Sequence, residues 1–137
     1  MLFSNDFDFL ESKRLSLQII EKNPGNDVEI PYYYYEIIEK KTRKSVGKIS
    51  IRIGCNFHSY YNGHIGYEID QEYRGHNYAL EAAKLVLEIA KFHQMEFLYL
   101  TCEENNYASI KTIEKLGGKL IDEKKPPKSY FGYYEGS

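Results

Sequence analysis

The 137-residue sequence has no tryptophan, four prolines, two cysteines and no long apolar run. The two cysteines, Cys55 and Cys102, are too few for a disulfide framework and are typical of a reduced protein. Because no stretch reaches about 18 apolar residues, no membrane span is expected. The acidic start of the chain also lacks the basic segment of a signal peptide. Together these absences predict a cytoplasmic protein.

Charge and composition exclude several further classes of protein. The sequence carries 18 Lys and Arg against 20 Asp and Glu, a net charge of −2, so neither nucleic acid nor an anionic membrane is an expected partner. With 42% hydrophobic and 28% charged residues, the chain is neither a disordered tail nor a coiled coil. Its length predicts a single domain over residues 1–137.

The first half of the chain is predicted to form antiparallel strands. Leu15, Leu17 and Ile19 alternate with polar residues, which is typical of a half-buried strand. A charged segment joins two β-rich runs and indicates a hairpin. The predicted strands are Arg14–Ile20, Tyr32–Glu39, Val46–Ile53 and His64–Asp70, with a loop over Cys55–Gly63.

The second half changes to a helical period. An apolar stripe opposite a charged face predicts a helix from about Asn77 to Phe92. A second helix is expected to begin at Asn105-Asn106, with Asn106 as N-cap, and to end at Gly117-Gly118. The remaining predicted elements are the strands Phe97–Cys102, Lys119–Glu123 and Tyr130–Tyr134, and a loop over Lys124–Lys128. The order predicts a mixed α/β (α+β) fold with one central sheet, parallel in its second half because of the strand–helix–strand crossovers.

The turn between the fourth strand and the first helix carries the most chemical information. The start of a helix leaves backbone N–H groups unpaired at the positive end of the helix dipole, and such a turn binds anions, most often phosphate. Gly75 and Ala79 are small enough for close approach, and Arg74 adds a positive charge. The alternative is that Gly75 only shapes a tight turn and that Arg74 is a solvated surface charge.

Four segments of the sequence carry a further signal: HIGYEID (64–70), YRGHNYA (73–79), NYAS (106–109) and EKLG (114–117). Together they resemble the GNAT superfamily of N-acetyltransferases, in particular the branch with ribosomal-protein N-terminal and related small-substrate enzymes. The resemblance covers about residues 46–123. It implies a GNAT-like sheet and acetyl-coenzyme A as co-substrate, with no metal.

The resemblance also implies a cofactor site. Arg74 matches the first position of the family's phosphate loop, and Asn77 stands where the family has a glycine. The backbone N–H groups expected to hold the coenzyme A pyrophosphate belong to Gly75, His76, Asn77, Tyr78 and Ala79. Asn tolerates the left-handed conformation better than most residues, so the loop is expected to keep its shape.

Two further residues are implied to contact the pantetheine arm. The strand end around Ile69 is expected to pair with it and to donate an N–H to the oxyanion that forms during transfer. Asn106 matches the family asparagine that contacts pantetheine, and this role is compatible with an N-cap.

The catalytic residues depart from the usual family pair of glutamate and tyrosine, because Thr101 and Ile113 stand at those positions. The related branch assigns the acid role to the serine of its Asn-x-Ala-Ser motif, here Ser109; alternatively Ser109 is a first-turn residue that bonds only backbone. An alkylammonium with a pKa of ~10.4 must lose a proton before it attacks. Glu68 is the candidate base, although it is alternatively a solvated strand residue, and His64 is the reserve.

The acceptor side is expected to be open. The segment Glu21–Pro31 is too short for the helices that the family carries there, and the chain ends at Ser137 without the family's long final strand. An uncovered sheet edge would favour a homodimer. Tyr32–Tyr35 is either the groove floor or, preferably, a strand of alternately buried and exposed rings. His58, His76 and His93 have no metal-ligand spacing.

Three functions therefore compete. The first is an N-acetyltransferase acting on a primary amine of a small molecule or peptide by direct attack in a ternary complex. The second is a non-catalytic acyl-coenzyme A binding or assembly module with the same fold, which Thr101, Ile113 and Asn77 favour. The third is an unrelated nucleotide- or phosphate-binding domain, against which the lack of a Gly-Lys-Ser/Thr loop argues.

Overall fold

In the computed structural model, the structure is described for residues 3–27, 29–54, 63–95, 97–102, 106–116, 119–123 and 128–133. Eight strands and two α-helices occur within these ranges. The strands are β1 (Phe9–Glu11), β2 (Leu15–Asn23), β3 (Tyr32–Glu39), β4 (Ser45–Arg52), β5 (Ile65–Ile69), β6 (Phe97–Cys102), β7 (Lys119–Glu123) and β8 (Lys128–Tyr133). The helices are α1 (Tyr78–Phe92), between β5 and β6, and α2 (Tyr107–Lys115), between β6 and β7.

Strands β1 to β5 form an antiparallel sheet in chain order, as the sequence analysis predicted for the first half. The predicted strands are present with shifts of a few residues at their ends. Strand β1 was not predicted, because three residues are too few to establish an alternating pattern. Strand β2 leads directly into β3 as its antiparallel neighbour, and no helix lies between them among residues 24–27 and 29–31. The expectation that the usual first helices are missing is confirmed.

The second half is also mixed α/β, but its strand pairing differs from the expectation of a single, partly parallel sheet. Strands β6, β8 and β7 form a separate sheet in that order, and both of its ladders are antiparallel. Among the described residues no ladder joins β5 to β6. The crossover through α1 does bring the two strands together at a meeting point.

That meeting point is His64, the residue before β5. Its carbonyl accepts a hydrogen bond from Arg52 N in β4, while its own N–H donates to Tyr99 O in β6 at 2.7 Å. The ring completes the joint, since Nδ1 accepts from Tyr99 N at 2.9 Å and Nε2 lies 2.6 Å from Gly54 O. His64 is fully buried, and burial lowers its pKa. With both ring nitrogens engaged, His64 is a structural residue, and the prediction that it is a reserve base is wrong.

Strand β8 corrects a second expectation. It pairs along its whole length with β6, from Phe97 opposite Tyr133 to Cys102 opposite Lys128. Its six residues span about 20 Å, enough to cover the edge of β6. The chain therefore has a closing strand, and the argument for a dimer that rested on its absence no longer holds.

The main core lies between the first sheet and α1. Small residues on one side of α1, Ala82, Ala83 and Ala90, let the helix approach the sheet closely, and all three are fully buried. Tyr33 and Tyr35 point into this core and are also fully buried, whereas Tyr32 and Tyr34 lie on the opposite face. The tyrosine run is thus a strand of alternating rings, as preferred from the sequence, and none of the four rings lines the cleft described below.

Some predicted features lie outside the described residues: most of the loop over Cys55–Gly63, the Gly117-Gly118 helix stop, and residues 124–127. Lys128, predicted as loop, begins β8. Neither described helix has the length and apolarity that crossing a bilayer requires.

Candidate active site

The loop that leads into α1 is exposed from Arg74 to Asn77. Gly75 has φ +89°, and Asn77, the N-cap, adopts the left-handed conformation with φ 61° and ψ 26°. Asn77 forms no side-chain cap, and the N–H groups of Tyr78, Ala79 and Leu80 have no acceptor among the described residues. The helix ladder begins only with Glu81 N to Asn77 O at 3.1 Å. An uncapped helix start of this kind presents free donors and a positive dipole end.

This loop is held in place from outside by the turn between β1 and β2. Arg14 Nη2 donates to the carbonyl of His76 at 2.8 Å, and Arg14 Nε pairs with Glu81 Oε1 at 2.7 Å. Glu81 also accepts from Ser12 Oγ and from Arg14 N. Burial alone would raise the pKa of Glu81, but these hydrogen bonds hold it below its ordinary value. The carboxylate thus remains charged and fixes the first turn of α1.

A second anchor fixes Tyr78. Its hydroxyl donates to Glu39, which also accepts from Thr42 Oγ1 at 2.7 Å, and both hydrogen bonds lower the pKa of Glu39. The Arg14 guanidinium lies 4.7 Å from the centre of the Tyr78 ring, within cation–π distance. The side chain of Tyr78 is therefore committed to the scaffold, and only its backbone is available to a ligand.

Strand β5 borders this site with a free backbone edge. Asp70 N donates to Val46 O in β4, and because the hydrogen-bonding direction alternates along an antiparallel strand, the backbone groups of Tyr67 and Ile69 point away from β4. Arg74 Nε donates to the Ile69 carbonyl at 3.0 Å. This contact leaves the N–H of Ile69 and the terminal nitrogens of Arg74 available.

The start of α2 forms the opposite wall. Asn106 Oδ1 accepts from Ser109 N at 3.2 Å, so Asn106 is an N-cap, as predicted. The Ser109 hydroxyl accepts from Tyr67 OH at 2.9 Å, a contact that spans from α2 to β5. Ser109 therefore does more than bond the backbone of its own helix, and its hydroxyl faces the free edge of β5.

Between these walls lies a cleft of about 490 Å³. All but one of the predicted cofactor-binding residues line it, as do both predicted catalytic residues. These lining residues are Ile69, Arg74, Gly75, Asn77, Tyr78, Ala79, Asn106, Glu68 and Ser109. The exception is His76, whose carbonyl is bound by Arg14 and whose side chain is exposed outside the cleft.

Sequence reasoning missed several cleft residues. Lys111 and Lys115 are exposed and line the cleft beside Arg74, giving three positive charges against the single carboxylate of Glu68. Their spacing of four residues places them on one helix face, a signal that was readable from the sequence. Tyr67 also lines the cleft, and its reach to Ser109 depends on how β5 and α2 pack, which no local pattern gives.

Glu68 occupies the other side of β5 from Tyr67. It is exposed, and it lies opposite Lys48 in the β4–β5 register. Glu68 is nevertheless one of the residues that line the cleft. Ile113, at the family's tyrosine position, is buried in the core and carries no acid–base chemistry. Within the described ranges, no three His, Cys, Asp or Glu side chains group as metal ligands do.

The chain matches the profile of the Acetyltransferase (GNAT) domain over residues 9–119. No curated protein sequence matches it closely. Among solved structures, it superposes on ribosomal-protein-S5-alanine acetyltransferase from Vibrio fischeri with a TM-score of 0.71 and 14% identity, over 93% of this chain and 97% of that one. An acetyltransferase from Agrobacterium tumefaciens gives a TM-score of 0.68 at 19% identity, over 98% and 97%.

A third structure similar in fold is the microcin C7 self-immunity acetyltransferase MccE in complex with acetyl-CoA and AMP. Its TM-score is 0.58 at 15% identity, over 75% of this chain and 61% of that one. At these identities the superpositions establish a shared fold. The profile match covers most of the chain, and on that basis the protein belongs to the GNAT family of acetyltransferases.

Proposed function

We propose that this chain is an acetyl-coenzyme-A-dependent N-acetyltransferase that transfers the acetyl group to a primary amine of a small molecule or peptide. Transfer occurs by direct attack of the amine in a ternary complex. The observation that carries the proposal is the uncapped, left-handed start of α1, which opens into the same cleft as Ser109 and the free edge of β5.

The residues present fit a pyrophosphate and its pantetheine arm. The free N–H groups from Gly75 to Ala79 suit the pyrophosphate, and Arg74, Lys111 and Lys115 supply positive charge for a polyanion. Ile69 and Asn106 flank the path towards Ser109 and are suited to hydrogen-bond the amides of the arm. Bound acetyl-coenzyme A would supply an activated thioester, and no metal is required.

Catalysis needs one group to accept a proton and another to donate one. Glu68 accepts the proton of the acceptor amine, directly or through water, from its exposed position at the cleft. The Ile69 N–H stabilises negative charge on the acetyl oxygen. Ser109 donates its hydroxyl hydrogen to the sulfur as the carbon–sulfur bond breaks. Each role follows from position in the cleft, and Ser109→Ala tests the role of the proton donor.

The acceptor side supports a broad substrate class. The direct β2–β3 connection leaves one face of the first sheet without a covering helix among the described residues. An accessible face of this kind accommodates either a small amine or a peptide N-terminus. The cytoplasmic location and the homodimer remain predictions from the sequence.

A non-catalytic acyl-coenzyme A binding module is the second candidate. The observation in its favour is Ile113, a core residue at the position where many family members have their tyrosine acid. Both functions require binding of coenzyme A, and only turnover separates them.

Calorimetric titration with coenzyme A and acetyl-coenzyme A, combined with detection of free thiol in the presence of an amine and peptide panel, tests the proposal. We expect binding of both, and thiol release that depends on an acceptor and falls about tenfold or more in Ser109→Ala. ATP and NAD serve as control ligands that share a phosphate but lack the pantetheine arm. Binding without turnover on any amine would favour the module, and absence of binding would leave the family relationship as one of fold alone.

A further inference from the structure

We propose that Tyr67 is a positioning residue that supplies the proton donated through Ser109 to the departing thiolate. This inference rests on the proposed acetyl transfer and adds a group to it. Many family members have a tyrosine acid at the position of Ile113 in α2. In this chain, Tyr67 in β5 would supply the proton instead. The observation behind it is the hydrogen bond from Tyr67 OH to Ser109 Oγ at 2.9 Å, which links the two walls of the cleft.

The hydrogen-bonding capacity of serine shows which groups are left for a ligand when Ser109 accepts from Tyr67. A serine hydroxyl has one hydrogen to donate and two lone pairs to accept with. Tyr67 uses one lone pair of Ser109, and Asn106 bonds the backbone N–H of Ser109, so its hydroxyl hydrogen is engaged by neither. Among the described residues no other polar group bonds the Ser109 hydroxyl. Its hydrogen is therefore free to point into the cleft.

Tyr67 is suited to act as a proton source. Tyr67 is partly buried against the core, which fixes its direction, and it also lines the cleft. A phenol is a far stronger acid than an aliphatic hydroxyl, so Tyr67 is the better proton source of the two hydroxyl groups. A chain of two hydrogen bonds also polarises the hydroxyl at its end.

The proton balance is complete with these groups and water. The amine nitrogen bonds to the acetyl carbon, and the carbon–sulfur bond breaks with its electron pair on sulfur. Sulfur takes the hydroxyl proton of Ser109, and Ser109 takes the phenol proton of Tyr67. The phenolate regains a proton from water at the mouth of the cleft. The proton released by the amine leaves through Glu68.

The first test measures binding of coenzyme A itself. Because the relay stabilises a thiolate, the affinity for coenzyme A is expected to rise about tenfold between pH 7 and pH 9 in the wild-type protein. Desulfo-coenzyme A, which lacks the thiol, is the control ligand. The pH dependence of its affinity reports the titration of all groups other than the thiol. In Tyr67→Phe the rise should disappear while affinity at pH 7 stays within about twofold. Tyr34→Phe, on the opposite face of the sheet, is the matched control.

The second test is a double-mutant cycle on turnover. Tyr67→Phe and Ser109→Ala are each expected to lower kcat about tenfold or more with little change in KM, and the double variant should be no slower than Ser109→Ala. Additive losses would overturn the relay, as would an unchanged pH dependence of binding in Tyr67→Phe. Failure of the wild-type protein to bind coenzyme A at all would instead overturn the proposed function, and the relay with it.

Discussion

The two helices that border the cleft both begin at an asparagine, and the two asparagines do opposite things. Asn106 has φ −88° and caps its own helix by accepting from Ser109 N. Asn77 has φ 61° and makes no side-chain cap, and within the described part of the chain the first N–H groups of α1 have no acceptor. The same residue type thus satisfies the N–H groups of one helix and leaves those of the other available.

The difference shows where each helix start obtains its stability. The start of α2 depends on its own cap, which needs no partner from another element. The start of α1 is held from outside by Arg14, which binds the His76 carbonyl and the Glu81 side chain. We call this pair of Arg14 contacts the Arg14 clamp. Because its two acceptors are a carbonyl and a carboxylate, the clamp occupies none of the backbone N–H donors at the helix start. A helix start secured in this way keeps its N–H groups for a ligand.

The largest expected effect comes from placing a negative charge at the free helix start, in Ala79→Glu. Ala79 is the second residue of α1 and lines the cleft. A carboxylate there interacts favourably with the helix dipole and is expected to stabilise the fold by about 0.3–1 kcal/mol. The same carboxylate occupies and repels the phosphate site, so the Kd for coenzyme A should rise about a hundredfold or more. Urea unfolding and calorimetry measure the two effects.

Gln71→Glu is the matched control for that variant. It adds the same charge on the exposed turn before α1, at a residue that does not line the cleft. Its Kd should stay within about threefold of the wild type, since an exposed charge that does not line the cleft is largely screened by solvent and salt. If Ala79→Glu binds coenzyme A as well as Gln71→Glu does, the helix start is not the phosphate site.

The two helix starts also show what a sequence can predict. The N-cap at Asn106 and the left-handed tolerance of Asn77 are local properties, and both were predicted correctly from residue type. The Arg14 clamp joins residues separated by more than sixty positions, and no local pattern indicates it. The same reasoning applies to the strands: their positions were predicted from sequence patterns, whereas the contact that joins β5 to β6 at His64 depends on a buried side chain.

A smaller effect is expected at the capped helix start, where two substitutions separate two roles. Asn106→Ala removes the cap and should destabilise the protein by about 1 kcal/mol. Asn106→Asp keeps the accepting oxygen and should retain wild-type stability, but it lacks the amide donor for a ligand carbonyl. We expect both variants to weaken coenzyme A binding about fivefold. If Asn106→Asp binds coenzyme A with wild-type affinity, Asn106 acts only as a helix cap and does not contact the ligand.

The smallest effect is expected where Asn77 replaces the glycine usual in the family. Asn77→Gly removes the steric cost of the left-handed conformation and should change stability by less than about 1 kcal/mol. Because the backbone already has the required φ of 61°, the Kd for coenzyme A should improve by less than about threefold. Asn77→Ala is the control, since it keeps a Cβ but loses the local tolerance of asparagine, and it should destabilise the loop. Weaker binding in Asn77→Gly would mean that the asparagine side chain itself contacts the ligand, so that the departure from glycine adds a donor to the uncapped helix start.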